Sequence, residues 1–262
     1  MNPVSVNELT ESVNSNLPRD VKSHIAKNIL TKEKDSETAK NIFAELINDL
    51  SLKTQKEVIN ATGTLLHTNL GRSPNKISYP GTYTNIEYDL TTLSRGKRNE
   101  YLSVLMNNLI GSEDIIFVNN NASSLFVSLK AISKLHNIES VIISRGEIIE
   151  IGGSYRLPEI INETGLSLVE IGTTNKTRLS DYKKALEKYP NSLILKVHRS
   201  NFSISGFTED VSISELAELK NKYDVFLLHD LGSGLVIDKK FLEVNNVNIF
   251  RDEPFVQDSL SD

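Results

Sequence analysis

The chain has 262 residues, no cysteine and a net charge of −5 with a pI near 5.7. That length suits one large α/β domain with a small appendage and excludes a disulfide-stapled miniature. Without cysteine there is no thiolate metal site or cysteine nucleophile, and the acidic balance offers nucleic acid no global attraction.

In chain order, residues 1–57 predict a helical N-terminal module. Ile42, Phe43, Leu46, Ile47 and Leu50 recur at helical spacing, as do Val21, Ile25 and Ile29. Its 8 Lys/Arg stand against 9 Asp/Glu, so charge gives this module no pull on a polyanion. The N-terminus has no basic start followed by an apolar run, and no apolar run approaches the ~20 residues of a membrane helix. A cytoplasmic protein is expected, in keeping with the missing cysteines.

Residues 58–262 predict a second unit. It opens on VINATGTLLHTNLGR (58–72), too dense in apolar, glycine, histidine and asparagine residues for a casual linker. RSPNKISYPGTYTNIEY (72–88) reads as a loop because Pro74 and Pro80-Gly81 break helices. Strand and helix patterns then alternate: DIIFV (114–118), a helix over 122–135, SVIIS (140–144), LSLVEIG (166–172), a helix over 179–188, SLILKVH (192–198), a helix over 212–223, and VFLLHD (225–230). This order predicts a mostly parallel sheet with helices on both faces and ligands at the strands' C-terminal ends. The last stretch, FLEVNNVNIFRDEPFVQDSLSD (241–262), predicts no final strand or helix, so the architecture is expected to stop unfinished.

The strand ends hold the candidate chemistry. In FVNNNASSLF (117–126) a strand runs into Asn121, Ala122 and Ser123 at a helix start, which forms either an ordinary N-cap or a phosphate cradle. In LLHDLGSG (227–234) Asp230 closes a strand before Gly232 and Ser233. Such a carboxylate can hold a protonated pyridine nitrogen or simply begin a turn. His229 has no partner at metal-ligand spacing, so no metal site is assigned. SRGEIIEIGGSYRLP (144–158) joins Arg145, Glu147 and Glu150 to Gly152, Gly153 and Ser154, either beside a ligand or as a salt-bridge network. LKVHRSNF (195–202) puts His198, Ser200 and Asn201 at a further strand end, to contact substrate or shape a turn. In LSRGKR, Arg95 and Arg98 with Lys97 suit phosphate or carboxylate, though short basic runs are often plain surface. Dinucleotide, P-loop, nucleophile-elbow and zincin motifs are missing. The residues alone reach a possible pyridoxal phosphate site.

Six blocks in order, VINATGTLLHTNLGR, FVNNNAS, SRGEIIEIGGSYRLP, VEIGTTN, LKVHRSN and HDLGSG, resemble bacterial selenocysteine synthase, L-seryl-tRNA(Sec) selenium transferase, from about Val58 to Pro254. The resemblance implies the fold type I (aminotransferase-like) large domain and ring-shaped homo-oligomers. It also implies conversion of seryl-tRNA(Sec) to selenocysteinyl-tRNA(Sec) with selenophosphate, through an aminoacrylate bound to pyridoxal 5′-phosphate. By the same resemblance Asn121, Ala122 and Ser123 cradle the cofactor phosphate, Asp230 meets the pyridine nitrogen, and Gly232 and Ser233 lie by the ring. Arg95 and Arg98 match its R-G-x-R motif and hold anionic substrate groups, while His198, Ser200 and Asn201 are pocket contacts. The sequence departs from the family in three respects. It ends before the S-G-D-K segment whose lysine joins the cofactor, it is shorter after Arg72 by about two helical turns, and Arg199 replaces the usual threonine. An inactive fragment of the transferase is therefore expected. The alternatives are a noncatalytic remnant that binds tRNA or intact subunits, and a related pyridoxal phosphate lyase acting on a small amino acid.

Overall fold

The computed structural model describes residues 3–74, 81–152, 155–237, 239–245 and 253–261. The chain divides into two compact units, residues 1–81 and 82–262. Pro80, Gly153 and Ser154, named in the sequence patterns above, lie outside the described residues.

The first unit holds three helices, α1 (Val6–Ser12), α2 (Arg19–Lys32) and α3 (Ser36–Lys53). Ser5 and Glu8 close a reciprocal capping box on α1, and the Asp35 carboxylate accepts the Thr38 N–H at 2.9 Å to start α3. These bonds satisfy amides that a helix start leaves unpaired. Leu9, Ala26, Ile29, Ala39, Phe43 and Ile47 bury one shared core. The sequence periodicity anticipated α2 and α3 but not the short α1.

The second unit begins with a small hairpin, β1 (Tyr88–Asp89) and β2 (Ser94–Arg95), followed by α4 (Glu100–Ile110) and α5 (Asn121–His136). Gly111 at φ +75° ends α4. Strand β3 (Ser140–Ser144) precedes a second hairpin, β4 (Glu150–Ile151) and β5 (Tyr155–Arg156), and then α6 (Leu157–Glu163). Next come β6 (Ser167–Ile171), α7 (Leu179–Lys188), β7 (Ser192–Val197), α8 (Ile213–Tyr223) and β8 (Phe226–Asp230). Helices α9 (Lys239–Val244) and α10 (Val256–Ser261) complete the described elements.

Strands β6-β3-β7-β8 form one sheet, parallel throughout. Alternate strand residues enter opposite cores. Val141, Ile143, Leu193, Leu195 and Val197 pack with Leu125 and Leu129 of α5 and Leu157 and Ile161 of α6. Ile142, Ile171 and Ile194 pack with Tyr182 and Leu186 of α7 and Leu216 and Leu219 of α8. The sheet is thus covered by helices on both faces, as the alternating pattern predicted, and Ser144, Ile171, Val197 and Asp230 share its C-terminal edge. Among the described residues no helix is long and apolar enough to cross a membrane.

Two expectations need correction. DIIFV is not a strand: it joins no ladder, and Ile116, Phe117 and Val118 stay exposed. An apolar run becomes a strand only where a neighbour accepts its backbone hydrogen bonds, and among the described residues none does. The C-terminal stretch, expected to lack elements, instead forms α9 and α10. Leu235 N–H donates to Pro254 O and Val256 N–H to Leu235 O, which brackets α10 against the loop after β8.

Candidate functional site

Asn120, at the head of α5, uses its side-chain oxygen to accept the Ser123 N–H at 2.8 Å. Asn120 is therefore the cap, and Asn121, one residue later, has its side chain free to act elsewhere. Its Nδ2 donates to Asp230 Oδ1 at 2.9 Å, across 109 residues of sequence. The same Oδ1 accepts the Gly232 N–H at 2.9 Å. Asp230 is only 8% exposed, yet its Oδ2 makes no hydrogen bond among the described residues. Both protein donors fall on one oxygen and leave the other as an acceptor for a ligand.

The loop from Asp230 to Ser233 is shaped by Gly232, at φ +65°, where a Cβ would stand 3.0 Å from Ser200 Oγ and 3.1 Å from Ser200 Cβ. Glycine is required there by the left-handed backbone and the close approach together. His198 N–H donates to Asp230 O at 2.8 Å, which brings the end of β7 beside the end of β8. Ser233 Oγ donates to Glu253 Oε1 at 3.0 Å, and Glu253 Oε2 lies 3.6 Å from His198 Nε2. Asn201 Nδ2 donates to Glu150 O at 3.2 Å and ties this region to β4.

A cleft of about 600 Å³ opens at the heads of α5 and α6, lined by Ala122, Ser123, Phe126, Tyr155, Arg156 and Ile160 among others. Tyr155 is half-buried, and burial together with the nearby Asp230 charge pushes its phenol up to about 12. The amides of Asn121 and Ala122 precede the first intrahelical bonds of α5, and the helix dipole adds partial positive charge there. Replacing Asn120 with Ala is expected to cost about 1 kcal/mol through the lost cap, read as a lower urea midpoint with an unchanged slope.

A buried ion network lies beside this site. Glu147, 1% exposed, takes the Lys196 ammonium at 2.6 Å on Oε1 and the Val197 N–H at 3.0 Å on Oε2. Lys196 also bonds Asp210, which pairs with Arg199 at 2.8 Å. Burial pushes the Glu147 carboxyl up, against the pull of Lys196 and the Val197 amide.

The structure thus brings together Asn121, Asp230, Gly232, His198 and Ser200, and it places Ala122 and Ser123 on the adjoining cleft. Arg95 and Arg98 are elsewhere engaged: both guanidinium groups donate to Glu87, at 2.7 and 2.9 Å, and no bond among the described residues links them to Asp230. Those hydrogen bonds hold the Glu87 carboxyl below its ordinary range.

The description "SelA: L-seryl-tRNA selenium transferase" belongs to a family model that matches residues 58–262. The chain belongs to the L-seryl-tRNA selenium transferase family. Curated relatives within it include the L-seryl-tRNA(Sec) selenium transferase of Aliarcobacter butzleri, 42% identical over 86% of this chain and 49% of that protein. The Campylobacter fetus transferase is 39% identical over 91% of this chain and 54% of that protein. That of Moorella thermoacetica is 47% identical over 70% and 40% respectively. The chain spans about half the length of the curated relatives it matches. A solved D-glucosaminate-6-phosphate ammonia-lyase superposes with a TM-score of 0.43 at 16% identity, over 50% of this chain and 37% of that one. Within the family's matched span lie Asn120, Glu147, Tyr155 and Glu253, to which the sequence patterns had given no separate role. The sequence signal for Asn120 was available: it precedes the helical run by one residue and is a favoured N-cap type.

Proposed function

We propose that this chain carries the cofactor and substrate contacts of a transferase that converts seryl-tRNA(Sec) to selenocysteinyl-tRNA(Sec) with selenophosphate, using pyridoxal 5′-phosphate. The observation that carries this reading is the meeting of the Asn121 Nδ2 and the Gly232 N–H on one Asp230 oxygen, which leaves Oδ2 without a donor among the described residues. The residues fit the cofactor: Asp230 Oδ2 is an acceptor for a pyridine N–H, the α5 amides and Ser123 suit a phosphate, and Gly232 keeps the wall low where a ring would lie. When bound, the cofactor supplies an electron sink for loss of a seryl α-proton and departure of the β-hydroxyl. Asp230 would hold the ring proton, and His198 and Ser200, which lie against Asp230 and Gly232, would border the ring.

Arg95 and Arg98 bind the anionic groups of the substrates in this reading. Glu87 occupies both guanidinium groups and, as an ionised carboxylate, competes with an incoming phosphate. Lys196 is committed to Glu147 and Asp210, so it does not serve as the amine that joins the cofactor. The isolated chain accordingly binds cofactor without turnover. Self-association is part of the same reading, since Tyr101, Leu102, Val104, Leu105 and Leu109 leave most of the apolar surface of α4 exposed.

Two measurements test the proposal. Equilibrium dialysis with pyridoxine 5′-phosphate, which has no aldehyde to react with surface lysines, is expected to show saturable binding. Incubation with pyridoxal 5′-phosphate, seryl-tRNA(Sec) and selenophosphate is expected to yield negligible selenocysteinyl-tRNA. Absence of binding would overturn the cofactor site, and robust product would overturn the inactivity.

A further inference from the structure

One carboxylate reaches two loops at the C-terminal edge of the sheet. Ser233, in the loop after β8, donates its Oγ to Glu253 Oε1 at 3.0 Å, and the other oxygen, Oε2, lies 3.6 Å from Nε2 of His198 at the end of β7. Oε2 is closed off from solvent and accepts no hydrogen bond among the described residues. A carboxylate oxygen withdrawn from water without a donor is costly, and among the described residues His198 is the basic side chain that approaches it.

Backbone bonds fix both ends of this contact. Leu235 N–H donates to Pro254 O, Val256 N–H to Leu235 O and Gln257 Nε2 to Val236 O, which holds residues 254–257 against the loop after β8. His198 N–H donates to Asp230 O, and Ser200 N–H donates to His198 O. The imidazole itself makes no hydrogen bond among the described residues, so its orientation is left to the Glu253 contact. A carboxylate oxygen accepts and does not donate, so it favours hydrogen on the nitrogen that faces it, in the neutral and the charged imidazole alike.

We infer that Glu253 is a positioning residue: its Oε2 orients the His198 imidazole with hydrogen on Nε2, while its Oε1 holds Ser233 in the neighbouring loop. At 3.6 Å the contact is an electrostatic attraction rather than a short hydrogen bond, and what it sets is the direction of the ring. Without Glu253 the ring is free to turn, and ligand affinity falls through His198 rather than through any contact of Glu253 with the ligand. That consequence for binding rests on the cofactor reading of the site given above; the orientation of the imidazole does not.

The experiment uses the whole chain and compares Glu253→Met, which keeps the side chain's length without its oxygens, Glu253→Gln, which keeps one acceptor, His198→Gln, and Glu253→Met combined with His198→Gln. Proton NMR of chain carrying isotope-labelled histidine reads the imidazole N–H with no ligand present. The unaltered chain is expected to show an Nε2–H that exchanges slowly with water, because it faces an oxygen closed off from solvent. His198→Gln should delete this signal, Glu253→Met should lose it to exchange, and Glu253→Gln should retain it. Equilibrium dialysis with pyridoxine 5′-phosphate reads the consequence. Glu253→Met is expected to bind about threefold to tenfold more weakly, Glu253→Gln nearly as well as the unaltered chain, and Glu253→Met is expected to add no loss once His198 is replaced. Absence of the slow Nε2–H from the unaltered chain, or its persistence in Glu253→Met, overturns the inference, and so does an equal loss of affinity in both His198 backgrounds. Failure of the unaltered chain to bind overturns the cofactor reading alone, and the N–H signal then decides whether Glu253 orients His198. If urea unfolding shows that Glu253→Met does not fold, the signal of the unaltered chain, its deletion by His198→Gln and its retention in Glu253→Gln carry the decision.

Discussion

Asp230→Ala is expected to reduce affinity for pyridoxine 5′-phosphate by about ten- to a hundredfold, the range for loss of a charge-assisted hydrogen bond. The effect has two sources. The open Oδ2 that would receive the pyridine proton disappears, and the Asn121 Nδ2 and the Gly232 N–H lose their shared acceptor. Asp230→Asn separates them, since an amide of the same shape keeps an oxygen for Asn121 and Gly232 but brings no negative charge to the ring nitrogen. Dialysis should therefore find Asp230→Asn nearly as weak as Asp230→Ala, while urea unfolding should find it closer in stability to the unaltered chain. Unchanged binding by Asp230→Asn would place the ring nitrogen elsewhere.

The second large effect is on stability. Glu147→Ala is expected to destabilise the second unit by roughly 3–5 kcal/mol, because it leaves a mostly buried Lys196 with Asp210 alone and strips the Val197 N–H of its acceptor. Chemical denaturation followed by circular dichroism measures this. The pH dependence has a definite sign. Burial raises the folded carboxyl above its unfolded value, so the contribution of Glu147 is fully present below the unfolded value and is lost as pH rises through the folded one. Glu147→Gln removes that titration, so the stability difference between the unaltered chain and Glu147→Gln should shift in favour of the variant as pH rises from the ordinary carboxylate range. A difference constant across that range would show that Glu147 titrates alike in both states.

Much of the fold was legible because buried parallel strands announce themselves as unbroken β-branched runs. SVIIS, SLILKV and FLLHD each became a strand within a residue or two of the expected limits. DIIFV has the same composition and misled for that reason: strand formation is decided by a pairing neighbour, which composition does not reveal. The cluster of Asn121, Asp230 and Gly232 was legible as separate strand-end residues, yet the single oxygen on which Asn121 and Gly232 converge is a fact of three-dimensional placement. Glu147 read as one member of a charged cluster and proved to be the buried anchor of Lys196. The partners of Arg95 and Arg98 were equally hidden, because Glu87 is set opposite them by the β1–β2 hairpin rather than by spacing along one face. Glu253 gave no sequence signal, since its approach to both His198 and Ser233 exists only once the two loops have been brought together.

The bond between Asn121 and Asp230 also sets when the pocket can exist during folding. Its two ends are 109 residues apart, and the intervening chain supplies three of the four sheet strands before β8 arrives. Closing so long a loop is repaid only by contacts made together, so this junction depends on the completed strand order rather than on any local segment. Recovery of ligand binding after dilution from denaturant would accordingly lag behind helix formation and time the docking of the last strand.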